Sequence, residues 1–217
     1  MNNQELKRTI HLSSKQHLIF VDELNDSSHN FVIDSKHQEY YIIDWTDQSS
    51  KHEFNFQIEK ETSLNLYYLC ITQNGNHKST FKFNHESASQ LNMYGKLFAG
   101  KTANVNCDAF IIIGKTDYDV NSDQQINGFL FSDQANINAI PALYVDNNAI
   151  KATHAVNIGH IDQMRMFYLQ TKGFDEKEAT NILIENEICF LKNLKNKEDD
   201  ENNILLSNVF NKIKAML

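Results

Sequence analysis

His154 and His160, separated by five residues in "HAVNIGH", are the side chains whose type and spacing come nearest to chemistry. Two imidazoles could share a metal ion, but no carboxylate or thiol stands beside them, and protein metal sites draw on three or four ligands. A lone histidine between strands and helices ordinarily donates to a backbone carbonyl, and His154 reads that way first. His160 reads as capping or flanking the helix that follows. His77 and His85 fall in or near turns and read as exposed. Cys107, before "DAFIII", could serve as a thiolate ligand or sulfur acceptor, yet it reads more simply as a small buried strand residue. Cys70 reads as core and Cys189 as helix packing. Three widely spaced cysteines with no C-x-x-C pair give neither a disulfide framework nor a self-contained zinc site. Asp117, Asp119 and Asp123 suggest a calcium loop, but the sixth and twelfth positions hold Ser122 and Gly128 where Gly and Glu are required. A solvated turn is the better reading. No nucleophile elbow, phosphate loop or dinucleotide fingerprint occurs, and no residue is assigned as catalytic.

The elements that must position these groups are mostly strands. "EFNFQI" puts Phe54, Phe56 and Ile58 on one face, "STFKFN" does so with Phe81 and Phe83, and "ANINAI" with Ala135, Ile137 and Ala139. "SLNLYYLCI" has apolar residues of both parities, so both faces are expected to be covered. "EYYIIDW" and "AFIIIGK" are continuous apolar runs suited to strands buried on both sides. About ten strands with no intervening helical pattern, over residues 16–151, mean an all-β body. Periodicity does not separate a sandwich from a barrel or a solenoid, and the commoner architecture, a sandwich, is favoured on that ground alone. Beyond His154 the period changes. Ile161, Met164, Phe167 and Tyr168 fall at helical spacing, with Lys172-Gly173 as a stop. Asp175 and Glu178 then form a capping-box pattern ahead of Ala179, Ile182, Leu183 and Ile188. Residues 196–203 read as a solvated linker, and "ILLSNVFNKIKAML" as a final short helix.

The net charge of −8 argues against a broad nucleic-acid or anionic-membrane surface. No apolar run approaches the roughly 18–20 residues that cross a bilayer, and no signal core opens the chain, so the cytoplasm is the expected compartment.

Residues 127–185 resemble the end of the SufB/SufD family, the core subunits of the SUF iron–sulfur cluster assembly machine. The family pattern is met in order by Leu130, Ser132, Ala135, Pro141, Leu143, His154, Gly159, Asp162, Phe167, Tyr168, Leu169, Gly173, Glu176 and Glu178-Ala179. The resemblance implies a mainly β protein: a right-handed parallel β-helix at 16–157 after an N-terminal tail at 1–15, then a C-terminal α-helical domain at 158–217. It implies a non-enzymatic, SufD-like subunit whose helices dock a SufC-like ABC ATPase through Met164, Phe167, Tyr168, Gly173, Phe174, Ala179, Ile182 and Leu183. It also implies edge-to-edge pairing of the β-helix with a second SufB/SufD-type subunit, as a hetero- or homodimer. His154 is the candidate cluster ligand at that interface. The family's cysteines and glutamate near this histidine correspond to Val145, Ala152 and Thr153 here. No cofactor is therefore expected to stay bound, and a transient iron–sulfur cluster is expected only in the assembled complex. Two other readings stay open: a structural homodimer that kept the fold without the assembly task, and a carbohydrate- or ligand-binding β-protein stacking sugars on Trp45 and the tyrosines.

Overall fold

The computed structural model describes residues 8–11, 15–21, 26–147, 150–194, 207–211 and 213–214. Twelve strands come first. They are β1 (Arg8–His11), β2 (Gln16–Val21), β3 (Ser27–Ile33), β4 (Gln38–Thr46), β5 (Ser50–Ile58) and β6 (Ser63–Thr72). The series continues with β7 (Asn76–His85), β8 (Gln90–Ala99), β9 (Asn104–Ile113), β10 (Val120–Leu130), β11 (Asn136–Val145) and β12 (Ile150–His160). Helices α1 (Gln163–Thr171) and α2 (Glu176–Glu187) follow, then a 3-10 turn at Cys189–Leu194. Residues 207–211 and 213–214 are helical, as expected for the chain end, whereas the linker read at 196–203 lies outside the described residues.

From β2 onward, even strands enter one sheet and odd strands the other, in the orders β1-β2-β4-β6-β8-β10-β12 and β11-β9-β7-β5-β3. Every pairing is parallel except β1 with β2. The chain is thus a parallel β-solenoid of about five coils, not a sandwich. In a sandwich, sequential strands pair as antiparallel neighbours; here each strand pairs with the one a full coil away. Strand β1 lies within the segment read as an N-terminal tail and lines the edge of β2. Strand β12 continues three residues past 157.

Alternation decides what fills the solenoid. The inward parity of β5, β7 and β9 is buried throughout, while the other parity stays partly accessible. Aromatic rings stack coil upon coil in the interior: Phe31 on Phe56 at 4.7 Å, Phe54 on Phe81 at 4.8 Å and Phe56 on Phe83 at 5.3 Å between centroids. Tyr68 meets Phe81 edge-on at 4.7 Å. Offset and edge-on contacts of this kind add about 0.5–1.5 kcal/mol each beyond area burial. Along the sheet margin the Asn136 amide donates to Asn104 and the Asn104 amide to Asn76, at 3.0 and 3.1 Å. With few glycines, the corner before β6, β8 and β10 is turned by Glu61, Ala88 and Asp119 in the left-handed region, at φ of 59°, 57° and 56°.

The even sheet carries a second core on its outer face. Leu18, Phe20, Tyr41, Ile43, Leu69, Ile71 and Phe98 are covered there by Ile184, Ile188, Leu191, Val209 and Ile213. Both faces of the centre of "EYYIIDW" and of the end of "SLNLYYLCI" are therefore buried, while Asn65 and Tyr67 stay half-accessible. "AFIIIGK" is different: Phe110 and Ile112 in β9 stay half-accessible because, among the described residues, no helix covers the odd sheet. There Phe110 packs against Tyr144 at 5.9 Å. The single proline, Pro141, sits on β11 at the end of its sheet, where a missing N–H is tolerated.

Candidate functional site

Strand β12 is the last of its sheet, and among the described residues it pairs with β10 alone. Its register sets His154 opposite Gln124, six residues before the strand ends, and His154 is exposed. This corrects its reading as a strand-to-helix junction; the junction falls at Ile161 and Asp162. Gln124, by contrast, is fully buried, and its amide oxygen and nitrogen have no hydrogen-bond partner. His154 thus stands on the coil end above a buried, unsatisfied amide. Ala152, Thr153 and Val145 occupy the same end of the solenoid, and Thr153 donates to Asp123. A strand of eleven residues whose second edge has no strand beside it among the described residues is a template for another strand.

The helices present a second feature. Asp162 caps α1 by accepting from the N–H groups of Met164 and Arg165. His160 flanks this turn, its Nδ1 at 3.1 Å from the Leu130 carbonyl oxygen. Asp175 caps α2, and the capping box with Glu178 closes in both directions, at 2.8 and 3.0 Å. Gly173, at φ +96°, supplies the left-handed residue between the helices. The inward residue of α1 is Met166, which touches Thr180 of α2. Met164, Phe167 and Tyr168 face outward and are 77%, 63% and 60% exposed, and Phe174 and Ile182 are exposed as well. Of the residues expected to dock a partner, Ala179 is fully buried and Leu183 half-buried, because both sit on the side of α2 that meets the rest of the molecule. Leu183 lines a cleft of about 340 Å³ with Phe98, Phe129, His160, Arg165 and Glu187. Glu187 ties the helices to the sheet through Lys96 at 2.6 Å.

The third feature lies inside the solenoid. Asp44, His52 and His77 are all fully buried. The Nδ1 of His52 and the Nε2 of His77 each lie 3.0 Å from a different oxygen of Asp44, and the Tyr68 hydroxyl donates to the second of these oxygens at 2.8 Å. Ser50 sits at 2.9 Å from the other nitrogen of His77. Burial alone would push the Asp44 carboxyl up, but the charge of His77 and the hydrogen bonds from both rings hold it below the usual carboxylate range. Burial alone would push His77 down, yet the Asp44 carboxylate beside it raises it well above an ordinary histidine. His77 is therefore a buried imidazolium and not the exposed turn residue its sequence neighbourhood suggests. His85 is also buried, between Ser89 and Ser122, and burial pushes it down to about 4, so it is neutral.

The cysteines divide. Cys70 and Cys107 are buried, and burial pushes the Cys107 thiol up to about 12. Cys189 is exposed rather than packed. Ile188, the C-cap of α2, and Leu191 of the 3-10 turn take the inward positions three residues apart, which leaves Cys189 facing outward. Trp45 is half-buried, packed against the outer core.

The pattern described as SUF system FeS cluster assembly, SufBD core domain, matches residues 14–186. The chain is 21% identical over 188 residues to an iron–sulfur cluster assembly SufBD family protein of Synechocystis, covering 81% of this chain and 41% of that one. It is 29% identical over 75 residues to the iron–sulfur cluster assembly protein SufD of Bacillus subtilis, covering 33% of this chain and 17% of that one. It is 20% identical over 160 residues to a chloroplastic Arabidopsis thaliana protein named ABCI7, covering 71% of this chain and 34% of that one. The chain therefore spans less than half the length of each of these relatives. With a solenoid of about five coils, a helical tail on its outer sheet and a domain match across most of its length, this chain belongs to the SufBD family of the SUF iron–sulfur cluster assembly system.

Proposed function

We propose that this chain is a non-enzymatic, SufD-like subunit of a SUF assembly complex, working in the cytoplasm. Helices α1 and α2 dock a SufC-like ABC ATPase, and the β12 edge pairs with a second SufB/SufD-type subunit. The observation that carries the reading is the set of exposed apolar side chains, Met164, Phe167 and Tyr168 on one face of α1, Phe174 between the helices and Ile182 on α2, on two well-capped helices. Surface aromatics gathered on a rigid element are the usual anchors of an interface. The helices are braced on the sheet by Lys96–Glu187, so a pull on them is transmitted to the even sheet.

Phe167 and Tyr168 are exposed, so changing them leaves the core intact. The double substitution Phe167→Asp, Tyr168→Asp is expected to weaken capture of the host's SufC-like ATPase by at least about thirtyfold, the loss of one interface hot spot of ~2 kcal/mol. Pull-down and titration calorimetry read this directly. Capture equal to wild type would remove the helices as the docking element.

His154 stands on the pairing edge as a candidate cluster ligand, with any cluster held transiently and shared with the partner subunit. One imidazole supplies a single ligand, so thiolates have to come from elsewhere in the complex. Reconstituted with both partners, His154→Ala is expected to lower cluster formation several-fold while subunit pairing persists. Cluster yield unchanged in the variant complex would exclude the ligand role.

A further inference from the structure

Asp44 of β4, His52 of β5 and His77 of β7 take no part in docking or edge pairing. One carboxylate oxygen and one nitrogen from each ring lie within 4.8 Å of one another, enclosed on all sides by the solenoid. Two imidazoles and one carboxylate are the donor set used for divalent transition ions, both in zinc sites and in the facial triad of non-haem iron. The two contacts to Asp44, at 3.0 Å, already approach the separation of roughly 3.3–3.5 Å between ligands bonded at 2.0–2.2 Å to one ion.

A second observation points to a ligand independently of that grouping. The remaining nitrogen of His52, Nε2, is buried without a hydrogen-bond partner. An unsatisfied buried polar atom costs about 1–3 kcal/mol, so this ring is free to turn and offer either nitrogen to an ion at no loss of an existing Nε2 hydrogen bond. His77 and Ser50 also line a surface pocket of about 340 Å³ together with Asp26, Lys51, Asn76 and Lys78.

We propose that Asp44, His52 and His77 bind one divalent first-row transition ion, Zn²⁺ or Fe²⁺, inside the solenoid. The ion takes the place of the protons that the two rings now direct at Asp44, and the Tyr68 hydroxyl orients the carboxylate from behind. Outer hydrogen bonds of this kind fix ligand geometry. The site is independent of the docking role, and failure of either leaves the other standing.

The test uses the whole chain, stripped with a chelator and titrated with Co²⁺, whose visible d–d absorption reports its coordination. One equivalent is expected to bind, with added Zn²⁺ or anaerobic Fe²⁺ competing; the stronger competitor names the ion. His52→Asn keeps an N–H donor at the Nδ1 position but removes the imidazole. It is expected to fold as wild type by circular dichroism and to lose affinity by more than about 100-fold. X-ray absorption at the zinc edge, on unmodified protein, is expected to show imidazole scattering. Absence of saturable uptake of all three ions, a shell of oxygen atoms alone, or wild-type affinity in folded His52→Asn would each overturn the site.

Discussion

Asp44→Ala is expected to lower the unfolding free energy by about 3–5 kcal/mol, the usual cost of breaking a buried ion pair by deleting one partner. The deletion removes the carboxylate that holds the charged form of His77, so the buried ring is driven to give up its proton, and it deprives His52 and Tyr68 of the oxygens they now address at 3.0 and 2.8 Å. None of the three side chains can turn to water, since all are fully buried. Against a total stability of roughly 5–15 kcal/mol, such a loss is about a fifth of the fold or more. It corresponds to a fall in melting temperature of roughly 6–20 °C for a chain of this size. Asp44→Asn keeps one acceptor oxygen and is expected to lose less than Asp44→Ala. Urea unfolding followed by circular dichroism, with chelator present so that no ion contributes, measures both. A loss below about 1 kcal/mol in Asp44→Ala would mean that the carboxylate does not anchor the cluster.

The cluster was legible in the sequence by parity, though not by proximity. His52 shares a face with Phe54 and Phe56, and His77 shares one with Ser79, Phe81 and Phe83, so both point inward. Asp44 likewise follows Tyr40 and Ile42 on the inward face of β4. Position near a turn suggested exposure, and alternation along the strand overrides it. What one chain cannot display is that β4, β5 and β7 converge, because that depends on which strands pair. A period of two is the same in a sandwich and in a solenoid. The difference lies in pairing each strand with its counterpart a coil away, and only the ordered motif at residues 127–185 carried that information.

The helices show the same division between local and global signals. Capping by Asp175 and Glu178, and the stop at Gly173, are local chemistry and fold as their residues dictate. Which face of α1 turns inward is not local. Met164, Phe167 and Tyr168 have the stronger apolar spacing, yet Met166 is the buried residue because α2 lies on that side. An apolar stripe that packing leaves in solvent is a departure from local consistency of the kind expected at functional surfaces. The opposite departure occurs in β9, whose run of isoleucines looks doubly buried and is not.

The two cores make the second large effect separable from the first. The solenoid interior runs from Ile19 to Ile137, whereas the seam under the helices is built on the outer residues of the even sheet. Ile188 is fully buried in that seam with Phe98, Leu191, Val209 and Ile213. Ile188→Asp sets an unpaired carboxylate among them, at a cost of several kcal/mol that the tail meets more cheaply by lifting off than by keeping the charge buried. The expected result is a β-sheet spectrum and urea transition close to wild type, with rapid proteolysis beyond residue 160. Dye binding should rise as Leu18, Tyr41, Ile43 and Leu69 are uncovered. Capture of the ATPase is expected to weaken by roughly thirty- to several-thousand-fold, the 2–5 kcal/mol needed to order a loose segment on binding. Met164, Phe167 and Tyr168 are untouched by the change, so this loss measures what the sheet contributes by holding them in place. Full capture by a protease-sensitive Ile188→Asp tail would show that the helices dock as a free-standing hairpin, and the β body would then have no part in presenting them.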